Sequence, residues 1–361
     1  MFRDKSRTWL MGIVVVCLGS IYQIWHVKGE SLQRQDEQTE TLVIMSSYNG
    51  AAFIAEQLQS IVKQKYKHWS LLLRDDGSTD DTLSLFQEIS KQDSRLKLLR
   101  DNKARLGAAQ SFHALMRAAA DSSSKYIVFS DQDDAWLPDK LSKQIALMKA
   151  MEVEYPGEPI LIHSDIEVVD VDLNQLAASF MSYQGIDHEE KDPLRVLLVQ
   201  NFVTGCTAVI NRRLLETVLP MPESALMHDW WLALCAAVFG QVAYIDESLL
   251  KYRQHDNNEV GAKHLGDYLN PISGKWRKRW LEGRMNLFQS MKQAQALADR
   301  IREHDPDNPQ LKLVEAYASL QGQSPLQRIK SIRSLGVHTQ SNSRQALLFS
   351  RLLFTPQDKY V

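Results

Sequence analysis

The chain has 361 residues, of which 44% are hydrophobic and 24% are charged, an ordinary composition for a globular protein. This composition excludes a mainly disordered chain and a collagen-like or fibrous repeat. The 42 Lys and Arg residues are balanced by 44 Asp and Glu residues, for a formal net charge of −2, so no global positive field attracts nucleic acid. Cys17, Cys206 and Cys235 are too few and too scattered for a disulfide framework or a zinc cluster.

The N-terminus carries a hydrophobic segment. Basic residues precede an apolar run at residues 9–25, which is close to the shortest length that spans a bilayer and has aromatic residues at both ends. We interpret residues 1–27 as a membrane anchor or signal segment. A cleaved signal peptide and a buried or surface helix are the alternatives. Residues 28–40 are polar and lack aromatic residues, as is typical of a linker.

Beyond residue 40, short apolar runs alternate with stretches of helical periodicity. The predicted elements are strand 41–46, helix 51–65, strand 69–74, helix 82–90, strand 96–99, helix 107–120 and strand 126–130. Later elements are strands 161–165 and 206–210 and helices 230–239, 281–301 and 311–320. The early strand runs lack alternation of apolar and polar residues. The sequence therefore predicts an α/β fold, with a mostly parallel sheet covered by helices on both faces.

Polar residues follow three of the predicted strands. Right-handed crossovers bring the carboxyl ends of parallel strands to one edge of a sheet, and ligands bind at that edge in open α/β folds. The residues brought there are Tyr48 with Asn49, Asp75 with Asp76, and Asp131 with Asp133. We therefore expect the binding chemistry at this edge.

The carboxylates at this edge suggest a cation site. Asp131 and Asp133 come directly after an apolar strand, and Mg²⁺ or Mn²⁺ takes oxygen ligands while keeping positions for phosphate and water. We interpret these two residues as a site for a divalent cation that neutralises a diphosphate; a solvated acidic turn is the alternative. The segment 75–78 has two interpretations. It supplies a carboxylate that contacts a nucleobase or ribose, or it forms a plain Asx turn that caps a helix.

Three common motifs are absent from the sequence. There is no G-x-G-x-x-G fingerprint, no G-x-x-x-x-G-K phosphate loop and no G-x-S-x-G elbow. Their absence counts against a nicotinamide-dependent dehydrogenase, a P-loop ATPase and an α/β-hydrolase.

The order of the edge motifs resembles that of family 2 glycosyltransferases of GT-A fold, over Thr41 to about Gly261. The motifs that carry the resemblance are Ser47–Gly50, Asp75–Asp80 and Phe129–Trp136. Those at Asn201–Thr207, His228–Trp231 and Tyr252–His255 are similar to a bacterial, rhamnosyltransferase-like branch that builds surface polysaccharide. The resemblance implies a GT-A domain at residues 41–265, followed by a helical C-terminal extension at residues 266–361.

The resemblance implies inverting transfer of a sugar, rhamnose in the branch named, from a nucleoside-diphosphate sugar. The acceptor would be a hydroxyl of a saccharide or lipid-linked molecule, and Mn²⁺ or Mg²⁺ would be the cofactor. One alternative is a nucleotidyltransferase that forms sugar nucleotides, although residues 46–52 lack the basic, glycine-rich loop it needs. The other is a non-catalytic carbohydrate-binding protein, although every carboxylate expected of the enzyme is present.

The resemblance also implies a role for each motif residue. Tyr48, Asp75, Asp76 and Asp131 would bind the nucleotide sugar; Asp133, Asp131 and His255 would hold the metal; Asp229 would be the general base; and Gly205, Trp230, Trp231 and Asp165 would lie near the donor sugar or acceptor. Alternatives stay open for some of them: His255 as a loop histidine, Asp165 as a turn carboxylate, and one of the two tryptophans as a core residue. We interpret Cys206 as a small core residue.

Membrane topology is left open by two opposing arguments. Basic residues ahead of residues 9–25 favour an outward-facing catalytic domain. The cytoplasmic supply of nucleotide sugars favours a catalytic domain at the cytoplasmic face. We expect this placement, with residues 9–25 crossing the membrane once. The alternating cations and aromatics of residues 275–280 either contact anionic lipid headgroups or begin a helix with a solvated charged face.

Overall fold

The structure, a computed structural model, describes residues 41–101, 105–255 and 276–353. The predicted segments 1–27 and 28–40, the predicted boundary after residue 265, and Lys275 lie outside these residues. Within the described ranges, no helix combines the length and the apolar character needed to cross a membrane.

The described residues form one mixed sheet of nine strands. The strands are β1 (Thr41–Ser47), β2 (Trp69–Asp75), β3 (Leu96–Leu98), β4 (Tyr126–Ser130), β5 (Ala135–Trp136), β6 (Ile160–Val169), β7 (Gln175–Ala177), β8 (Val209–Asn211) and β9 (Gln241–Arg253). Their order is β3-β2-β1-β4-β8-β6-β9-β5, and β7 pairs with β6. Strands β1 to β4 pair in parallel. In the second half β6 and β9 are parallel, whereas β8 runs antiparallel to both β4 and β6.

The helices connect these strands and extend the chain beyond them. They are α1 (Ile54–Val62), α2 (Thr82–Ser90), α3 (Ala108–Ala120), α4 (Lys140–Glu154), α5 (Phe180–Gln184), α6 (Pro193–Leu197), α7 (Arg212–Val218), α8 (His228–Phe239), α9 (Trp276–His304), α10 (Leu311–Ala318), α11 (Pro325–Leu335) and α12 (Asn342–Leu353). The predicted elements between residues 41 and 130 agree with the observed ones to within a few residues.

Strand β1 shows why the early strands read as continuous apolar runs. Its side chains alternate between two cores: Leu42 and Ile44 face the core that contains α3, α7 and α8, while Val43 and Met45 face the core that contains α1, α2 and α4. Each buried aliphatic side chain stabilises the fold by about 1.5–3 kcal/mol. Because both faces are covered by helices, neither face of β1 carries a row of exposed polar residues.

Two predicted elements differ from the structure. The predicted strand 206–210 begins later, at Val209, because Gly205–Thr207 forms a 3₁₀ turn in which Thr207 donates from its amide and its hydroxyl to the Thr204 carbonyl. Asp165 lies in the middle of β6 and not at its end, since the pairing of β6 with β9 continues to Val169.

The described C-terminal helices pack on the same core as α8. Met291 and Leu297 of α9 and Tyr317 of α10 are buried in the cluster that contains Trp231. The Arg300 guanidinium donates to three carbonyl oxygens, those of Thr217, Leu219 and Pro220. Residues 276–353 are therefore packed against the sheet domain, within one compact unit that begins at Thr41.

Gly240 lies at the junction of α8 and β9, where the backbone of Pro159 approaches closely. An added Cβ at Gly240 would lie 1.9 Å from the backbone oxygen of Pro159, and a backbone obstacle cannot rotate away. We expect Gly240→Ala to lower the free energy of unfolding by roughly 1–3 kcal/mol, measured by urea denaturation. Gly322→Ala is the matched control because nothing lies within 4 Å of its added Cβ. Equal urea midpoints for the two variants would contradict the close approach.

Candidate functional site

The carboxyl ends of β1, β2 and β4 meet at one edge of the sheet, as predicted from their parallel order. Ser47 pairs with Asp75 across β1 and β2, and Met45 pairs with Ser130 across β1 and β4. The turns that follow these strands therefore lie side by side.

Gln132 ties two of these turns together. Its side-chain oxygen accepts from the Tyr48 amide at 2.9 Å, and its side-chain nitrogen donates to the Tyr48 carbonyl at 3.0 Å. Gly50 makes the contact possible, because an added Cβ there would lie 2.1 Å from the Gln132 side-chain oxygen. Sequence reasoning missed Gln132, since the middle position of Asp-x-Asp carries no signal of its own.

The ring of Tyr48 carries a cation on one face. The Arg105 guanidinium carbon lies 3.9 Å from the ring centroid, a cation–π contact worth about 0.5–1 kcal/mol at an exposed site. Sequence reasoning also missed Arg105. Any group that stacks on this face of Tyr48 has to displace the guanidinium.

Asp75 forms an Asx turn. Its carboxylate accepts from the Gly77 and Ser78 amides at 3.2 and 2.9 Å, and from the Ser47 and Ser78 hydroxyls at 3.2 and 2.5 Å. These four donors match the acceptor capacity of a carboxylate. Contact with a nucleobase stays a prediction, and it requires one of these donors to be exchanged.

Asp76 lies inside the protein and is only 3% exposed. Its carboxylate pairs with the buried Arg74 guanidinium and accepts from the Leu106 and Gly107 amides, both at 2.8 Å. Gly107 immediately precedes α3. Asp76 therefore fastens the start of α3 to β2, and its carboxylate faces protein donors and not the open edge.

The last residues of β9 bring His255 to Asp133. The His255 Nε2 atom lies 2.9 Å from Asp133 Oδ2, and the His255 ring stacks on Phe53 at 4.9 Å between centroids. Arg253 fixes the backbone here, donating from Nε to the Asp133 carbonyl at 3.0 Å and from Nη2 to the Glu56 carboxylate. The structure thus joins two predicted metal ligands that are far apart in sequence.

A second cluster includes the first residue of the Asp-x-Asp turn. Ligand atoms of Asp131, Asp134 and Cys206 lie within 4.8 Å of one another. Asp134 and Cys206 are buried, and the Cys206 thiol is a weak hydrogen-bond donor beside the Asp134 carboxylate. Burial and the carboxylates of Asp131 and Asp133 raise the pKa of Asp134 well above its usual range. Burial also lowers the pKa of the neighbouring Lys140 to about 7.

Asp229 lies in the first turn of α8 and is partly buried. Its Oδ1 atom accepts from the Asn201 side chain at 3.2 Å and from the Trp230 amide at 2.6 Å, and its Oδ2 atom accepts from the Gly205 amide at 3.0 Å. Burial raises the pKa of Asp229 to about 6, although these hydrogen bonds act in the opposite direction. The sequence alone left the balance between burial and the helix N-terminus undecided.

Gly205 allows its loop to approach α8 closely. An added Cβ would lie 2.8 Å from Nε2 of His228, the residue before Asp229. The buried His228 ring stacks on Phe112 and Phe129, with centroids 4.0 and 5.4 Å away. Burial lowers the pKa of His228 to about 3, so this ring is neutral at physiological pH.

Three of the residues predicted to lie near the donor sugar or acceptor make hydrogen bonds to backbone groups of the protein. Trp231 is fully buried and donates its indole N–H to the Val218 carbonyl, so it is the core member of the tryptophan pair. Trp230 is partly buried and donates to the Leu197 carbonyl at 2.6 Å. Asp165 is 6% exposed and accepts from the Phe180 and Met181 amides at the start of α5.

Comparison with known proteins identifies relatives. The family model described as glycosyl transferase family 2 matches residues 42–219. The dTDP-rhamnosyl transferase RfbG of Shigella flexneri is 30% identical over 252 residues, which cover 65% of this chain and 81% of the relative. The Escherichia coli protein named UDP-Glc:alpha-D-GlcNAc-diphosphoundecaprenol beta-1,3-glucosyltransferase WfgD is 32% identical over 175 residues, 48% of this chain and 61% of the relative.

A solved structure shares the fold. The crystal structure of S. aureus TarS 1-349 in complex with UDP-GlcNAc superposes with a TM-score of 0.50 over 82% of this chain and 79% of that chain, at 14% sequence identity.

The hydrogen bond from Asn201 to Asp229 can be tested by its effect on the pKa of Asp229. A donor to the ionised carboxylate favours ionisation, so we expect Asn201→Ala to raise that pKa further above about 6. Carboxyl-carbon NMR titration measures it, with Asp229→Asn assigning the resonance. Asn308→Ala is the control, because Asn308 contacts Asp305 and Val238 instead. An unchanged or lower pKa in Asn201→Ala would contradict the contact.

Proposed function

The chain belongs to glycosyl transferase family 2, and we propose that it is an inverting, metal-dependent glycosyltransferase of surface polysaccharide synthesis. Its fold is the GT-A fold of glycosyltransferases. The observation that carries the proposed mechanism is Asp229, a partly buried carboxylate with a pKa of about 6 at the start of α8. Direct displacement with inversion needs one such base and no covalent intermediate on the protein.

We propose dTDP-rhamnose as the donor and a lipid-linked saccharide as the acceptor. The donor proposal is supported by the relative named dTDP-rhamnosyl transferase, of which this chain covers 81%. The acceptor proposal is supported by the relative whose name specifies an N-acetylglucosamine on diphosphoundecaprenol. Tyr48, Asp75 and Asp131 would line the donor site at the sheet edge.

We propose that the residues at the sheet edge bind a divalent cation. Asp131 and Asp133 offer carboxylate oxygens and His255 offers an imidazole nitrogen, a donor set that suits Mn²⁺ or Mg²⁺. The carboxylates of Asp131 and Asp133 also help burial to raise the pKa of Asp134, which supports a negative potential that a cation would relieve. When bound, such an ion stabilises the leaving diphosphate as a Lewis acid.

Asp229 would accept the proton of the acceptor hydroxyl as the new glycosidic bond forms. Such general base catalysis contributes roughly two to four orders of magnitude to a rate. With a pKa of about 6, the carboxylate is ionised at neutral pH and more basic than an ordinary aspartate. The Gly205 amide and the Asn201 side chain would hold its oxygens in a fixed orientation.

We further propose that the enzyme works at the cytoplasmic face of a membrane, anchored through residues 9–25. Two arguments support this placement: the cytoplasmic supply of nucleotide sugars and the proposed lipid-linked acceptor. The apolar composition of these residues supports the anchor.

A panel of dTDP-rhamnose, UDP-glucose and GDP-mannose, with and without Mn²⁺, tests the donor and metal proposals. We expect dTDP-rhamnose with Mn²⁺ to give the largest rise in melting temperature, because a ligand at 100 times its Kd stabilises by about 2.7 kcal/mol. Asp133→Asn should lose the Mn²⁺-dependent part, and Asp299→Asn, an exposed aspartate of α9, should retain it. A larger rise in melting temperature with another donor would refute dTDP-rhamnose as the donor. Equal rises with and without Mn²⁺ would refute metal dependence.

Replacing Asp229 tests the base. We expect Asp229→Asn to lower kcat by roughly 100-fold or more, because the amide cannot accept the proton. In the wild type, only the ionised carboxylate is active, so kcat should fall as the pH drops below about 6 and level off above it. Steady-state kinetics between pH 4.5 and 9 measures both effects, with Asp299→Asn as control. Full turnover by Asp229→Asn would exclude this residue as the base.

A further inference from the structure

A loop near the C-terminus holds the chain segment that leads to the candidate base. We call residues 336–341, between α11 and α12, the C-terminal loop. We call residues 185–200, from the end of α5 to the residue before Asn201, the approach segment. These two segments are hydrogen-bonded to each other at several points.

Gln340 makes the central contacts between them. Its side-chain oxygen accepts from the Gln200 side chain at 2.7 Å and from the Asp187 amide at 3.2 Å. Its side-chain nitrogen donates to the Asp187 carbonyl, and its backbone amide donates to the Gln200 side-chain oxygen at 3.2 Å. One glutamine of the C-terminal loop therefore fastens the approach segment near its beginning and at its last residue.

Other contacts keep the rest of the approach segment in place. The Arg344 guanidinium, in the first turns of α12, donates to the Gln184 and Gly185 carbonyls. The Arg195 side chain donates from Nε to the Leu335 carbonyl at 2.7 Å. The His188 ring lies against β6, with its Nδ1 atom 3.0 Å from Nε2 of His163. The segment is thus fixed between β6 and the C-terminal helices.

The residue after the approach segment contacts Asp229. Asn201 follows Gln200 directly, and consecutive Cα atoms are about 3.8 Å apart. The Asn201 side chain donates to Asp229 at 3.2 Å and to the Val203 carbonyl at 2.9 Å, and it accepts from the Val203 amide at 3.0 Å. The hydrogen bond from Asn201 to Asp229 is 3.2 Å long. If a displacement of Gln200 moves Asn201 by about 1 Å, that hydrogen bond breaks.

We propose that Gln340 is a positioning residue of the transfer reaction. It holds Gln200, and through it Asn201, where the Asn201 side chain orients the Asp229 carboxylate. The proposal rests on the proposed function, since it takes Asp229 as the base. It gives a catalytic purpose to the C-terminal helices, which lie outside the residues that the family model matches.

The first experiment measures kcat and KM separately for Gln340→Ala. The substrates are dTDP-rhamnose, or the donor with the largest shift in the panel above, and a short-chain N-acetylglucosamine diphospholipid. We expect kcat to fall by roughly 10- to 100-fold, because the base is misplaced, while the donor KM changes less than about two-fold. We expect the melting temperature to fall by less than about 3 °C, because Gln340 is partly exposed and the apolar core is intact.

The control is Gln323→Ala. The Gln323 side chain accepts from the Ser331 hydroxyl at 2.8 Å, a contact confined to the C-terminal helices. This variant loses a hydrogen-bonded glutamine from the same region and should keep the wild-type kcat. An equal loss of kcat in both glutamine variants would show general loosening of the helices and would overturn the positioning role.

A double-mutant cycle tests whether Gln340 acts through Asn201. If it does, Gln340→Ala should cost nothing further once Asn201→Ala is present, because the group that it positions is gone. Losses that multiply would overturn the proposal. Gln200→Ala breaks the same glutamine pair from the other side, should reproduce the fall in kcat, and takes the place of Gln340→Ala if that variant does not fold.

Asp229→Asn in the same assay separates this inference from the proposed function. If Asp229→Asn is inactive while Gln340→Ala and Gln200→Ala keep the wild-type kcat, only the positioning role is overturned. If Asp229→Asn retains full turnover, the assignment of the base itself fails.

Discussion

The close approach of the loop 201–205 to the first turn of α8 is the constraint on which the candidate base depends. Desolvation of Asp229 makes its carboxylate more basic, and the donors from Asn201, Gly205 and Trp230 keep it in one orientation. Only a residue without a side chain fits at position 205, because His228 lies against it. The same packing therefore sets both the protonation and the direction of the carboxylate.

The other half of the site is governed by repulsion between like charges. Asp131, Asp133 and Asp134 lie in four consecutive residues, and Asp134 is buried away from solvent. Such an arrangement is costly without a nearby positive charge. The structure supplies part of that charge through Lys140, which lies close enough to lower the pKa of Asp134 in opposition to burial. The remaining negative charge supports the proposal of a cation at this edge.

The strands β1 to β4 and the edge that they form could be predicted because their cores are local in sequence and buried on both faces. The family and the GT-A fold followed from the order of motifs and are confirmed. The antiparallel placement of β8 could not be predicted, since pairing between distant strands leaves no periodic signal. The surroundings of single side chains could not be predicted either. Asp76 follows a strand as a ligand residue would, but its carboxylate pairs with Arg74. Gln132 joins two turns, although nothing in the sequence marks it as a site residue.

The two halves of the site also differ in how the chain builds them. The proposed donor half, at the carboxyl ends of β1, β2 and β4, is made from strand ends and the turns that follow them, so short motifs specify much of it. The base half depends on a contact between Gln200 and Gln340, which are 140 residues apart. A substitution in the C-terminal loop would therefore displace Asn201 and loosen the Asp229 carboxylate, while the turns at the sheet edge keep their own hydrogen bonds. The orientation of the candidate base would therefore depend on residues outside the edge motifs.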